Sequence, residues 1–105
     1  MIPDGPRFSL QGVGRFPVHL DGLVARAEQR GLRSLLIEVL RQVSDNLERN
    51  PREWGDPYMN YRGLKAVGYG KLILPARIRV EYAVHNSEPL VWISAIGALI
   101  ESPFA

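Results

Sequence analysis

Arginine dominates the reactive chemistry of this sequence. Its thirteen basic residues comprise eleven Arg and two Lys, and Arg77 and Arg79 alternate with Ile78 and Val80 just before Glu81. A guanidinium presents a planar fork that meets carboxylate or phosphate through parallel N–H donors. Few other groups accompany this pair. His19 and His85 are the only histidines, and neither has a carboxylate or second histidine at the spacing of a metal site. His85, followed by Asn86 and Ser87, reads as a turn residue, and His19 as an exposed strand position. Glu81 and Glu88 are the only nearby carboxylates for acid–base work, and Glu81 is better used as the ion partner of Arg77 or Arg79. No serine lies in a nucleophile elbow. Cysteine is absent, which removes disulfides, thiolate metal sites and thiol nucleophiles together. Gly12 and Gly14 lack the third glycine and the following βαβ unit of a phosphate loop. The sequence therefore implies neither a metal nor a cofactor.

The elements that must hold these residues are clearest near the C-terminus. Ile78, Val80, Tyr82 and Val84 face one way along a period-two run, and Arg77, Arg79, Glu81 and Ala83 face the other. Tyr69–Leu74 and Leu90–Ile96 flank that run and are bounded by Gly, Pro, Asn and Ser. Together they predict a three-strand antiparallel meander. Upstream, Leu32, Leu35, Leu36, Val39, Leu40, Val43 and Leu47 recur at three- and four-residue steps, as one apolar helix face does. Pro51 stops that helix near Asn50. A shorter helix is expected from Gly22 to Arg30, with Asp21 as its N-cap and Gly31 as its stop. A strand is expected between Phe8 and Leu20, best in the half containing Phe16, Val18 and Leu20. Arg52–Tyr61 reads as loop, and residues 1–7, with two Pro and a Gly, as a loose arm. The order β-α-α-β-β-β gives an α+β fold in two layers, a helical hairpin packed on an antiparallel sheet.

Composition bounds the rest. The 105 residues make a single domain, 1–105, that is 46% hydrophobic and carries a net charge of +2. No apolar run is long enough to span a bilayer, and the first residues lack the pattern of a signal peptide. A cytoplasmic location is the expectation. The charge is too evenly matched to predict nucleic-acid binding by itself.

Several of these segments fall in one recognisable arrangement: Leu47-x-x-Asn50-Pro51, Tyr61-Arg62-Gly63-Leu64, Tyr69, Arg79-Val80-x-Tyr82-x-Val84 and Val91-Trp92-Ile93-Ser94-x-Ile96-Gly97. Over residues 16–97 this resembles the RelE/ParE toxin superfamily. The resemblance implies growth inhibition within a toxin–antitoxin system. RelE-like members cut messenger RNA on the ribosome, ParE-like members poison DNA gyrase, and both are neutralised by an antitoxin protein. RelE-type cleavage needs cations around the phosphorane and a proton shuttle.

Carried over residue by residue, Arg79 matches the family's strand arginine and is the one candidate catalytic residue. Gly70 and Leu72 stand where the family has lysines, and Lys71, one step off register, points to the opposite face. Ala98, Leu99 and Ile100 replace the basic cluster after the last strand, and the C-terminal Tyr is absent, with only Phe104 near the end. Arg77, Lys71, Arg62 and Trp92 complete the candidate binding residues. The depleted set favours a toxin-like protein acting by binding, as ParE does. Ribosome-dependent cleavage, or a degenerate member serving as an interaction module, stand as alternatives. The apolar run Leu90–Ile100 adds an antitoxin segment, or a second copy of the chain, as the expected partner.

Overall fold

The alternating run centred on Val80 anchors the fold, and in the computed structural model, which describes residues 7–105, Ile78, Val80, Tyr82 and Val84 are all buried. They belong to β4 (Ile78–His85). The neighbouring strands β3 (Ala66–Ile73) and β5 (Leu90–Ala98) pair with it antiparallel, as the meander predicts. Two further strands extend the sheet. β2 (Asp56–Tyr61) pairs antiparallel with β3, and β1 (Ser9–Gly12) pairs parallel with β5. The order is β1-β5-β4-β3-β2, so the five-stranded sheet is mixed rather than purely antiparallel.

The first strand lies earlier than expected. Phe16–Leu20 is not strand but the opening of α1 (Phe16–Arg30), and Asp21 is an exposed residue inside that helix, not its N-cap. Inside a sheet, Pro17 would fit only an edge strand or a bulge. A proline is equally at home in the first helical turn, where its missing N–H has no intrahelical partner to lose. Phe16, Leu20, Leu23 and Ala27, at three- to four-residue steps, then turn inward.

α1 ends at Gly31, whose φ of 68° is left-handed, and the N–H groups of Gly31 and Leu32 close onto Glu28 and Ala27 carbonyls. α2 (Arg33–Arg49) follows and buries Leu36, Val39, Val43 and Leu47. On its outer face Arg41 pairs with Glu38 at 3.2 Å. The chain after Asn50 is not loop throughout. α3 (Pro51–Trp54) is a single turn opened by Pro51, and β2 follows after Gly55. Both helices of the hairpin and one face of the sheet share one buried cluster.

The tail completes that cluster. Phe104 is fully buried, Ser102 Oγ donates to the Ala76 carbonyl at 2.7 Å, and Arg26 Nε donates to the Phe104 carbonyl at 2.7 Å. Ile100, by contrast, is 87% exposed. Of the expected N-terminal arm, residues 1–6 lie outside the described residues, and Arg7 meets Glu48 at 3.3 Å. No described helix is long and apolar enough to cross a membrane.

Candidate functional site

Because the hairpin covers one face of the sheet, the other face is open, and its residues follow from the register. Directly opposed pairs share a face. Ala66, Gly68, Gly70 and Leu72 of β3 lie beside His85, Ala83, Glu81 and Arg79 of β4. Gly97, Ala95 and Trp92 of β5 then lie beside Arg79, Glu81 and Ala83. Arg79 is thus the only Lys or Arg that β3, β4 and β5 direct to this face.

The open face is built over two glycines. A Cβ on Gly68 would stand 2.7 Å from Tyr61 Cε2 and 3.3 Å from Tyr58 Cζ, so the missing side chain is what lets both rings lie on the strand. A Cβ on Gly70 would collide with Arg79 Nη2, which places the guanidinium over that residue. Tyr58 reaches this position through an irregularity in the β2–β3 register between Pro57 and Met59. Its hydroxyl lies 3.4 Å from that of Tyr61. That hydrogen bond first, then partial burial, pushes the Tyr58 hydroxyl up to about 12, so it stays protonated at neutral pH.

Across the face, Trp92 forms the opposing wall and meets His85 edge to face at a centroid distance of 6.1 Å. Val13, Leu64 and Ser94 close an apolar trough of about 370 Å³ whose floor is Ala83. Tyr58 and Leu64 are 47% and 60% exposed, so the trough opens to solvent. Ser94 Oγ is occupied with the Glu81 carbonyl at 3.3 Å.

The remaining candidates are placed differently. Arg79 Nη2 lies 3.9 Å from Glu81 Oε1, an exposed pair worth under about 1 kcal/mol. Arg77 is not on the strand. It sits in a left-handed turn with φ of 56° and binds Glu101 at 2.7 Å, so it does not share the face with Arg79. Lys71 opposes Val80 on the helix side, with Nζ 5.8 Å from the Trp54 ring centroid. Arg62 lies in the 3₁₀ turn Arg62–Leu64 at the edge of the trough, and Trp92 lines it. Among the five residues singled out from sequence, Arg79, Arg62 and Trp92 gather at the open face, and Arg77 and Lys71 do not.

The histidines serve structure. His85 Nδ1 accepts the Glu88 N–H at 2.9 Å, which holds the β4–β5 turn. His19 is a half-buried α1 residue, not a strand position, and its Nδ1 faces the Ile96 N–H at 3.5 Å. It borders a second cavity that also contains Arg26, Arg79, Glu81 and Gly97. On the helix side, Tyr82 stacks on Tyr69 at 5.4 Å and donates to the Pro51 carbonyl at 2.6 Å. Burial drives its hydroxyl well above the usual tyrosine range. Among the described residues no three His, Asp or Glu side chains gather to hold a metal.

Tyr58, Tyr61 and Gly68 were missed as site residues in the sequence. The available signal was Gly68 and Gly70 inside a strand pattern, since glycine there marks a close approach by another group.

No family model, curated protein or solved structure matches this chain. What the trough can do therefore rests on its own geometry. It offers aromatic walls and a small-residue floor, with Arg79 on the adjoining sheet face and Arg62 in the turn that carries Leu64. Such a surface can receive an apolar group among the Tyr58, Tyr61 and Trp92 rings.

Proposed function

We propose that this chain is a toxin-like protein of the RelE/ParE kind that acts by binding rather than by cutting RNA. The observation that carries the reading is the open sheet face, which sets an aromatic trough beside Arg79, the one cation of its three central strands, and pairs that cation with Glu81. The chain order of β1, the α1–α2 hairpin and the β3–β5 meander suits the resemblance in sequence. Cleavage by the RelE route would ask for several cations and a proton shuttle around one phosphate. Here Gly70 and Leu72 occupy the open face beside Glu81 and Arg79, Lys71 is on the helix side, and Phe104 is buried in the core. A ParE-like inhibitor requires a complementary surface and no such set. The expected partners are an antitoxin protein and a target such as DNA gyrase, with self-association as the alternative use of the exposed apolar residues.

The test compares purified full chain in cell-free translation and in gyrase supercoiling, alongside growth after induced expression. Growth arrest with intact messenger RNA is expected. Discrete cuts at the ribosomal A site that disappear in Arg79→Ala would overturn the proposal in favour of ribonuclease action. Absence of growth arrest would remove the toxin reading altogether.

A further inference from the structure

We infer that the open-face trough is a seat for a short acidic polypeptide segment that inserts one large apolar side chain, preferably aromatic. The inference rests on reading this face as a binding surface, and it names the chemistry of what binds there. Its first support is the width of the slot. Trp92 on β5 and the tyrosines seated over Gly68 on β3 are separated by one intervening strand, whose residue at that level is Ala83. Two strand spacings amount to roughly 9–10 Å. Aromatic partners sit about 4.5–7 Å apart between centroids, so one ring fits between the walls and two do not. Val13 and Leu64 add aliphatic contact at the ends. The slot suits a single Trp, Phe or Leu side chain.

The second support is the charge of the rim. Arg62 and Lys65 flank Leu64, Arg15 lies two residues beyond Val13, and Arg79 lies over Gly70 next to the tyrosines. All four are exposed. Arg15, Arg62 and Lys65 form no ion pair among the described residues. Arg79 has only Glu81, at 3.9 Å, beyond hydrogen-bond length. A carboxylate arriving from a partner can give these groups the charge-assisted contacts that they lack. An apolar anchor with Asp or Glu on either side matches this surface.

A single-stranded nucleic acid also combines flat rings with negative charge, but the arrangement favours it less. Its backbone calls for cations along a continuous track. Here Arg15 precedes α1, Arg62 and Lys65 bracket a 3₁₀ turn, and Arg79 on the sheet already faces the Glu81 carboxylate at 3.9 Å, so the cations form no continuous track.

The experiment is selection of a random-peptide display library on the immobilised full chain, followed by binding measurements with the enriched peptides made synthetically. Enrichment of a Trp, Phe or Leu flanked by Asp and Glu is expected. Affinity should fall at least tenfold with Trp92→Ala and at least fivefold with the double variant Arg62→Glu/Lys65→Glu. Those rim residues are exposed, so the second variant stays informative if the first does not fold. Raising the salt concentration should weaken binding by the wild type more than by the double variant. No enrichment, enrichment of basic sequences, or affinity untouched by the rim variant would each overturn the inference. Tighter binding of a random-sequence RNA that displaces the peptides would overturn it in favour of nucleic acid. Growth arrest without acidic-peptide selection sinks this inference alone, and selection without growth arrest sinks only the toxin reading.

Discussion

Replacing Phe104 with alanine tests whether the last residues are part of the core. Phe104 lies beyond β5 and outside every helix and strand, where loose packing on the surface is the usual expectation. In the structure it has no exposed surface, and its N–H donates to Ser102 Oγ at 3.1 Å. Removing a fully buried phenyl loses its transfer free energy and leaves a cavity, a combination that costs about 3–5 kcal/mol. A tail can shift to fill part of that space, which places the expected loss near the lower end, about 3 kcal/mol. Domains of this size have roughly 5–15 kcal/mol of stability in total, so the change should be plain. In urea, with a slope of about 1–3 kcal/mol per molar, the midpoint should fall by about 1–3 M with the slope unchanged. Ile100→Ala is the internal control. That side chain is 87% exposed, and its loss should cost under about 0.5 kcal/mol. Equal midpoints for Phe104→Ala and Ile100→Ala would refute the account of the tail as a core element.

Other outcomes follow from single residues. Tyr82→Phe removes the donor to the Pro51 carbonyl and should cost about 1–2 kcal/mol in chemical denaturation. The Tyr82 hydroxyl, raised from its ordinary 10.0, keeps its proton in the folded state after the unfolded chain has lost it, so stability is full below pH 10 and declines above it. Tyr82→Phe should flatten that alkaline decline, as seen in urea midpoints across pH 9 to 11 (about one unit either side of the ordinary tyrosine value). Gly68→Val should displace Tyr61 and Tyr58, reduce binding at the trough and cost about 1–3 kcal/mol, checked by thermal melting beside a binding assay. Gly31→Ala should lower stability by about 1 kcal/mol, because an L side chain resists the φ of 68° at that helix end.

The sequence was most informative where one physical signal acted alone. Ile78–Val84 alternates without interruption, so both the strand and its buried side could be read directly. The apolar stripe of α2 and the stop at Gly31 were similarly plain. Legibility failed where one residue supports two outcomes. Pro17 suits an edge strand and a first helical turn alike, and only the fit of Phe16 and Leu20 against the core decides between them. Pro51 ends α2 and also opens α3. β2 has only Tyr61 partly covered, so burial left no alternation in Asp56–Tyr61 to read. The site followed the same division. Arg79 and Trp92 could be placed from β4 and β5, whereas Tyr58 depends on an irregular register that no local pattern announces.

The parallel pairing of β1 with β5 also bears on how the molecule comes into being. Ser9 lies opposite Leu90, so β1 must wait for its partner until the chain has been extended by some eighty further residues. Contacts of such long sequence separation form slowly, because the intervening chain must be closed into a loop before they yield any stabilisation. During synthesis, α1 and α2 can pair early through their local hairpin. Trp92, one wall of the trough, is contributed by β5, and Phe104 follows only at the end of the chain. A nascent chain that stalls before Leu90 therefore has neither a neighbour for β1 nor a finished binding face. Binding through that face should require β5, and fragments ending before Leu90 should fail to bind the partner that the whole 105-residue chain takes.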